Sequence, residues 1–245
     1  MSIRKTTSPL LFAALALSMA AAQAQTMPDI GGIKLRSPLM AQRAQISKIN
    51  PGYQITEVTT TSGKVVGLQG LAFSSVDKRP SDQFLALQDE SGNVWYLARA
   101  QRFDEGKYVP ITAINQALAD KYGDYTYSND GGFNRSWSFT PEDHKLMKAK
   151  EDRCGLPSRS FSGGQSLSKI PEFSFFVPSA FYATCGVGIR SSLSYWYQDK
   201  SFATGYVVTL ADIKTRFDVL DRQNKAEAAA RKNESDAMKD NKVKL

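Results

Sequence analysis

The N-terminal segment constrains the fold more than any other feature, because it predicts the compartment in which the chain folds. Two basic residues, Arg4 and Lys5, precede an apolar run that ends in a small-x-small pattern at Ala24. This order is typical of a secretory signal peptide and its cleavage site. We expect residues 1–24 to be a signal peptide cleaved near Ala24, and the mature protein to be periplasmic or secreted. A retained membrane anchor is the alternative, although the run is shorter than the ~20 residues that span a bilayer.

Export decides how the two cysteines are interpreted. The chain contains Cys154 and Cys185. In an oxidising compartment such a pair normally forms a disulfide. The bond would close a loop of about 30 residues and stabilise the fold by roughly 3–4 kcal/mol in the chain-entropy model. A reactive thiol and a metal ligand are the alternatives, but the sequence lacks the Cys-x-x-Cys spacing that would support either.

The composition is that of a globular protein, and it excludes some kinds of catalytic and metal site. The 245 residues are 42% hydrophobic and carry a net charge of +7, which falls to about +5 without residues 1–24. After that segment no apolar run is long enough to cross a bilayer as a helix. The chain has one histidine, His144, so a multi-histidine metal site is excluded and a nucleophile–histidine pair must use this residue. A solvated histidine is the other interpretation, and we expect no metal or other cofactor.

Two stretches have apolar residues at helical spacing. The first follows a serine–proline start at Ser37 and continues to Ile49, before an Asn-Pro-Gly stop. The second runs from Ile111 to Tyr122, and Gly123 is a typical helix terminator. We expect each helix to pack an apolar side against a sheet.

Runs rich in Val, Leu, Phe, Trp and Tyr predict antiparallel strands. The clearest hairpin joins residues 84–87 to 94–97 through a turn at 89–93, and a second turn lies at 128–132. Both strands of the first hairpin are apolar on both faces, so we expect helices to cover one side of the sheet. The predicted strands are 53–58, 64–73, 83–88, 94–103, 173–176, 180–189, 192–197 and 203–208.

The order of helix, strands, helix and strands predicts an α+β fold with two helix-plus-sheet units. The first unit is expected at residues 25–123, and the second, which is richer in sheet and contains the disulfide, at 124–208. Within the second unit we expect a short helix over 140–150 and an exposed Ser/Gly-rich loop at 158–168.

A C-terminal helix and tail are expected at residues 209–245. Thr209 and Asp212 have the spacing of a capping box, and apolar residues up to Leu220 follow at helical spacing. Beyond Leu220 the sequence is polar, so we expect the helix to dock through its first two turns and then to project. The projecting part is either a solvated end or a partner-binding helix.

The sequence contains no complete motif of a known enzyme class. The spacing Ser-x-x-Lys, in which a lysine activates a serine, occurs at 75–78 and 166–169, but neither lies in a predicted helix and the companion motifs are absent. Oxygen ligands suited to calcium occur at 124–130, but they lack EF-hand spacing and are also ordinary turn residues. We expect no catalytic residues and a non-enzymatic protein. An envelope hydrolase using carboxylate or Ser/Lys chemistry is the alternative.

Aromatic residues late in the chain form the candidate binding surface. Trp196 lies between Tyr195 and Tyr197, an arrangement suited to a ligand or glycan platform, although burial in the core would also explain it. Phe217 of the predicted C-terminal helix completes this surface. The basic charge lacks the Arg/Lys stripe that favours nucleic acid, so the expected partner is a protein or an anionic envelope component.

Several segments, spread over most of the chain after residue 24, resemble parts of uncharacterised exported proteobacterial proteins. These segments are 29–35 with its Gly-Ile-Lys-Leu turn, 83–103 followed by a helix that ends at 121–123, the Cys-Gly pair at 185–186, and the Leu-Ala-Asp at 210–212 before the last helix. Arg36 and Ser37 stand where that family has Gly-Met. The chain is more distantly similar to the helix-plus-sheet modules of small envelope assembly proteins and β-lactamase-inhibitor-like proteins. The resemblance implies a protein-binding role, such as an inhibitor or immunity protein, and carries over no catalytic residue.

Overall fold

The computed structural model describes residues 27–148 and 181–239, with Cys154, Phe173, Phe175, Val177 and Pro178 between them. The signal peptide expected at 1–24, the loop expected at 158–168 and the Ser-x-x-Lys spacing at 166–169 lie outside the described residues.

The described part of the chain is α+β and consists mostly of antiparallel sheet. Its strands are β1 (Asp29–Ile30), β2 (Ile33–Lys34), β3 (Gln54–Thr59), β4 (Val65–Phe73), β5 (Pro80–Gln88), β6 (Val94–Arg102), β7 (Val109–Pro110), β8 (Tyr127–Asn129), β9 (Asn134–Ser138), β10 (Val187–Tyr195) and β11 (Phe202–Asp212). Its helices are α1 (Arg43–Ile49), α2 (Ile111–Tyr122) and α3 (Ile213–Lys239), with short 3₁₀ turns at Met40–Gln42 and Asp130–Gly132.

One large sheet contains the strands of both predicted units. Its order is β3-β4-β5-β6-β11-β10-β9-β8, with β7 paired to the beginning of β11, while β1 and β2 form a separate small hairpin. The last strand, β11, lies between β6 and β10, and Leu210 pairs with Leu97. Strands from before and after residue 123, the expected boundary between the two units, therefore belong to the same sheet. The division into two units stays a prediction.

The helices α1 and α2 and the β1–β2 hairpin cover one side of the sheet, which we call the first face. Leu39, Ile46 and Leu118 are buried there in one cluster with Phe84 and Leu97 of the central strands. Helices were expected on one side of the sheet because the β5–β6 hairpin is apolar on both faces, and α1 and α2 lie there.

The opposite side, which we call the second face, packs against the described residues around the disulfide. Leu85, Leu87 and Tyr96 are buried there in one cluster with Phe175 and the cystine. The predicted bond between Cys154 and Cys185 is confirmed, with a Cα–Cα distance of 5.5 Å. Both cysteines are buried, so the disulfide is part of this core.

The helix α2 begins and ends where the sequence predicts. Gly123 follows it with φ +71°, and the Gly123 amide donates to the Ala119 carbonyl at 2.7 Å. The Gly123 carbonyl accepts a 2.7 Å hydrogen bond from the buried Trp137 indole. Glycine is favoured here because other residues rarely adopt this positive φ.

The C-terminal helix exists, but its start was placed too early. Residues 209–212 are the end of β11 and Thr209 is fully buried, so Thr209 does not cap the helix. The cap is Asp212, whose carboxylate accepts the Thr215 amide at 3.0 Å and the Thr215 hydroxyl at 2.7 Å. From Arg222 to Met238 every residue of α3 is exposed, as expected for a helix that projects.

The short helix expected from residue 140 is wrong over 140–148. The Thr140 amide donates to the His144 carbonyl, and the Leu146 amide donates to Ser138 of β9. These bonds form a turn that returns along β9, with Asp143 at φ +62°. The backbone groups that a helix would pair internally are thus used by the sheet. Likewise, the break expected between the strands at 180–189 and 192–197 is absent, because β10 runs from Val187 to Tyr195, and residues 181–186 and 196–197 are not part of any strand.

Candidate functional site

The structure brings three of the four candidate binding residues together. Tyr195 ends β10, and Trp196 and Tyr197 begin the turn that leads to β11. Tyr195 pairs with Ala203, whereas the opposite end of the same hairpin lies at Asp212, just before the helix that carries Phe217. At about 3.3 Å per residue, the stretch of β11 from Ala203 to Asp212 is roughly 30 Å long. Phe217 therefore does not belong to the surface formed by the other three.

The three neighbouring aromatic residues, which we call the aromatic turn, differ in exposure. Tyr197 is 80% exposed and Tyr195 is 42% exposed, while Trp196 is half-buried. The Tyr195 ring packs on Phe133 with a centroid distance of 4.7 Å, and the Lys200 ammonium lies 5.1 Å from the same ring. The aromatic turn is thus held by packing beneath it and leaves Tyr197 free to contact a partner.

A cleft of about 490 Å³ lies beside the aromatic turn. Tyr108 lines the cleft, and its ring centroid is 5.6 Å from that of Trp196. The end of β6 and the beginning of β11 form another part of the lining, where Gly205 pairs with Arg102. A Cβ at Gly205 would lie 2.6 Å from the Gln101 carbonyl oxygen, so the close approach of these two strands requires glycine.

The loop before β5 and the loop after β6 form one rim of the cleft and are hydrogen-bonded to each other. The buried Ser74 hydroxyl donates to Asp104 at 2.7 Å. Asp77 accepts two hydrogen bonds from Arg102 at 3.0 Å each and one from the Arg79 side chain at 2.8 Å. This rim is therefore formed before any ligand arrives.

Two of the three carboxylates that line the cleft, Asp77 and Asp104, are paired with cations. Arg102 and Arg79 hold the pKa of Asp77 well below its usual value. The hydrogen bond from Ser74 lowers the pKa of Asp104, and Lys107 lies 3.4 Å from the same carboxylate. A general acid needs a raised pKa, which neither carboxyl has.

The other candidate positions do not form a catalytic or metal-binding group in the described parts of the chain. Ser75 and Lys78 lie in the loop between β4 and β5, not on a helix, and Lys78 has φ +59°. His144 is exposed in the turn after β9. Among the described residues, no group of three or more His, Cys, Asp or Glu side chains is arranged to hold a metal ion.

Sequence reasoning missed a buried polar cluster on the first face. The Asp82 carboxylate accepts from Arg99 at 2.7 and 3.1 Å, from the Tyr53 hydroxyl at 2.6 Å and from the Asn50 amide at 3.1 Å. Burial, together with Asp82, raises the pKa of Tyr53 strongly. Because its carboxylate is fully bonded, this cluster is structural and offers no group for chemistry.

A second ion-pair cluster joins three distant parts of the chain. Arg36, which has φ +63°, donates to the buried Asp212 carboxylate and, at 2.8 Å, to Asp143. The cluster fixes the start of α3 against the N-terminal segment and the turn after β9. It lies near the disulfide end of the sheet, away from the cleft.

Comparison with known proteins assigns the chain to no group: no family model, curated protein or solved structure matches it. None of the helices in the described ranges is both long and apolar enough to cross a membrane. Function must therefore be inferred from the residues of the site.

Proposed function

We propose that the protein is a non-enzymatic binding protein of a bacterial envelope, periplasmic or secreted, that contacts its partner through the aromatic turn. The partner is a protein or an anionic envelope component, and an inhibitor or immunity role fits the resemblance in the sequence. The single observation that carries the proposal is the cluster of three adjacent aromatic residues at one end of the β10–β11 hairpin.

Exposure and packing of the aromatic turn support contact with a partner. Tyr and Trp are enriched among the residues that dominate binding energy, because they bury a large area and still offer a polar atom. Tyr197 is 80% exposed, and its hydroxyl bonds only to the neighbouring Gln198 amide at 2.7 Å among the described residues. The Lys200 ammonium beside Tyr195 adds positive charge where an anionic partner would arrive.

A hydrolase is the second candidate, because three carboxylates line one cleft. These are Asp77, Asp104 and Glu105. Arg102 and Arg79 lower the pKa of Asp77, and the hydrogen bond from Ser74 lowers the pKa of Asp104, which argues against either carboxyl as a general acid. Hydrolysis of cell-wall glycan by the purified protein, lost in the Glu105→Gln variant, would favour this candidate.

Site-specific photo-crosslinking tests the proposed contact. Tyr197 is replaced by a photoreactive phenylalanine analogue in the full chain, and Tyr182, which is 56% exposed elsewhere, is replaced in a matched control. Irradiation of living cells is expected to give an adduct of defined mass at position 197 and none at position 182. Absence of an adduct at 197, or equal adducts at both positions, would exclude the aromatic turn as the contact.

A further inference from the structure

We propose that the cleft beside Tyr108 binds a neutral oligosaccharide. This site goes beyond the contact proposed for the aromatic turn, because it is a concave small-ligand site with its own lining. Its volume of about 490 Å³ lies within the roughly 300–1,000 Å³ typical of small-ligand sites.

The charge balance of the cleft argues for a neutral ligand. Asp77, Asp104 and Glu105 contribute three negative charges to the lining. Arg79 and Arg102 line the same cleft, and Lys107 is ion-paired with Asp104. An anion would meet the carboxylates and a cation would meet the guanidinium groups, so neither gains a net attraction.

The polar groups of the cleft argue against a purely apolar ligand. Arg79 lines the cleft and its side chain is 71% exposed, so an apolar molecule above it would remove water from a charge and provide no hydrogen bond in return. Ser194 and Thr204 add hydroxyl groups to the lining. A ligand that carries many hydroxyl groups can bond to all of these positions.

The aromatic lining argues for sugar rings in particular. Tyr108, Phe103, Tyr206 and Phe173 line the cleft, and Phe103 packs against Tyr206 with a centroid distance of 6.2 Å. Ring faces take up the apolar C–H side of a sugar, while planar carboxylate and guanidinium groups present two atoms to neighbouring hydroxyls. The rim is already bonded through Ser74, so little conformational entropy is lost on binding.

Trp196 provides the signal for a direct binding test. Its ring lies 5.6 Å from Tyr108, whereas Trp95 and Trp137 are 3% and 0% exposed in the two cores. The full chain is titrated with the tetramers of β-1,4-linked N-acetylglucosamine, β-1,4-linked glucose and α-1,4-linked glucose. At least one tetramer is expected to change the emission of Trp196. The Trp196→Phe variant should lose that change and keep the heat of binding in calorimetry.

Matched variants locate the binding site. Tyr108→Ala is expected to lower the association constant at least tenfold, and Glu105→Gln severalfold. Tyr182→Ala and Glu57→Gln, which change exposed residues outside the cleft, should leave it within twofold of the original. The melting temperature of each variant shows that it is folded, and the exposed Glu105→Gln variant tests the site even if Tyr108→Ala is unstable.

Defined outcomes would overturn the proposal. These are binding of none of the three tetramers by the folded protein, tetramer binding that both cleft variants leave unchanged, and tighter binding of inorganic phosphate or end-blocked tetra-alanine than of any tetramer. The crosslink at Tyr197 is independent of Tyr108, so failure of the glycan site and failure of the proposed partner contact can be told apart.

Discussion

The two faces of the sheet are covered in different ways. On the first face, α1, α2 and the β1–β2 hairpin bury Leu39, Ile46 and Leu118 without any covalent link. On the second face, Phe175 is buried in one cluster with the Cys154–Cys185 disulfide. Near the end of β6 and the start of β11, residues of both clusters line the cleft: Tyr206 packs against the first-face cluster, and Val207 and Phe173 pack against the second-face cluster. The comparison teaches that one core is held by packing alone and the other also by a cross-link, while the space for a ligand lies where residues of both clusters meet.

The largest expected effect comes from the polar cluster of the first face. Asp82→Ala leaves the Arg99 guanidinium, whose side chain is 22% exposed, without its carboxylate. Removing one partner of a buried ion pair costs about 3–5 kcal/mol, and we expect a loss of that size in urea unfolding. Asp120→Ala on the exposed side of α2 is the control, with an expected change of about 0.5 kcal/mol or less. A loss below about 1 kcal/mol for Asp82→Ala would show that this cluster does not hold the first face.

Removal of the disulfide should affect the second face more than the first. The Cys154→Ala/Cys185→Ala double variant is expected to lose about 3–4 kcal/mol in urea unfolding, because its unfolded chain is no longer constrained. The change should concentrate on the second face, where Trp95 contacts Phe181. Global destabilisation accelerates indole hydrogen exchange at both sites, and local opening of the second face should make the acceleration larger at Trp95 than at Trp137. Equal acceleration at both indoles would mean that the two cores open together.

A pair of Leu→Ala variants, one in each core, can measure how strongly the stability of each core depends on the disulfide. Leu85 and Leu97 are both fully buried, on the second and the first face respectively. Each Leu→Ala variant alone should cost about 2–5 kcal/mol. In the background without the disulfide, the cost of Leu85→Ala should fall by about 1 kcal/mol, whereas that of Leu97→Ala should stay the same. Coupling at Leu97 that equals the coupling at Leu85 would contradict the distinction between the faces.

The smallest expected effect concerns the docking of α3 over the second face. Arg216 bonds to Glu90 at 2.8 and 2.9 Å and lies 5.5 Å from the Trp95 ring. Burial disfavours the charge on Glu90, but the bonds from Arg216 outweigh it and lower the pKa of Glu90 from 4.5. The ion pair therefore contributes stability above pH 4.5, and this contribution is lost as the pH falls through the lowered pKa.

The Glu90→Gln variant tests this ion pair. It should lose less than about 1 kcal/mol at neutral pH and show a shallower loss of stability in acid. Glu57→Gln on the exposed strand β3 is the control and should keep the acid dependence of the parent protein. If Glu90→Gln lost stability in acid as steeply as the parent protein, the Arg216–Glu90 ion pair would not contribute to the docking of α3.

The sequence predicts local elements well because their signals are local. The helix at Ile111–Tyr122 follows from apolar spacing and Gly123, and the hairpin around 89–93 follows from turn residues between apolar runs. The disulfide follows from the compartment and the count of two cysteines. The predicted start of the last helix was wrong because residues 209–212 satisfy two patterns, a capping box and a buried strand, and pairing with β6 and β10 favoured the strand.

The cleft could not be predicted because its residues meet only through long-range pairing. Asp77, Tyr108 and Gly205 belong to separate parts of the chain, and the order of the sheet brings them together. Only the aromatic turn carried a local signal, through three adjacent aromatic residues. Separating Phe217 from these three residues required knowledge of the length of β10 and β11.

The position of β11 has a consequence for the order in which the chain folds. This central strand is the last of the described strands in chain order, and Leu97, the partner of Leu210, lies 113 residues earlier in the chain. Contacts between such distant residues slow folding, because a long loop must close before they form. Until residue 212 is available, the edge of β6 has no neighbour and remains open to pairing with other chains. Chains in which β11 has not yet paired with β6 should therefore be the most prone to aggregation.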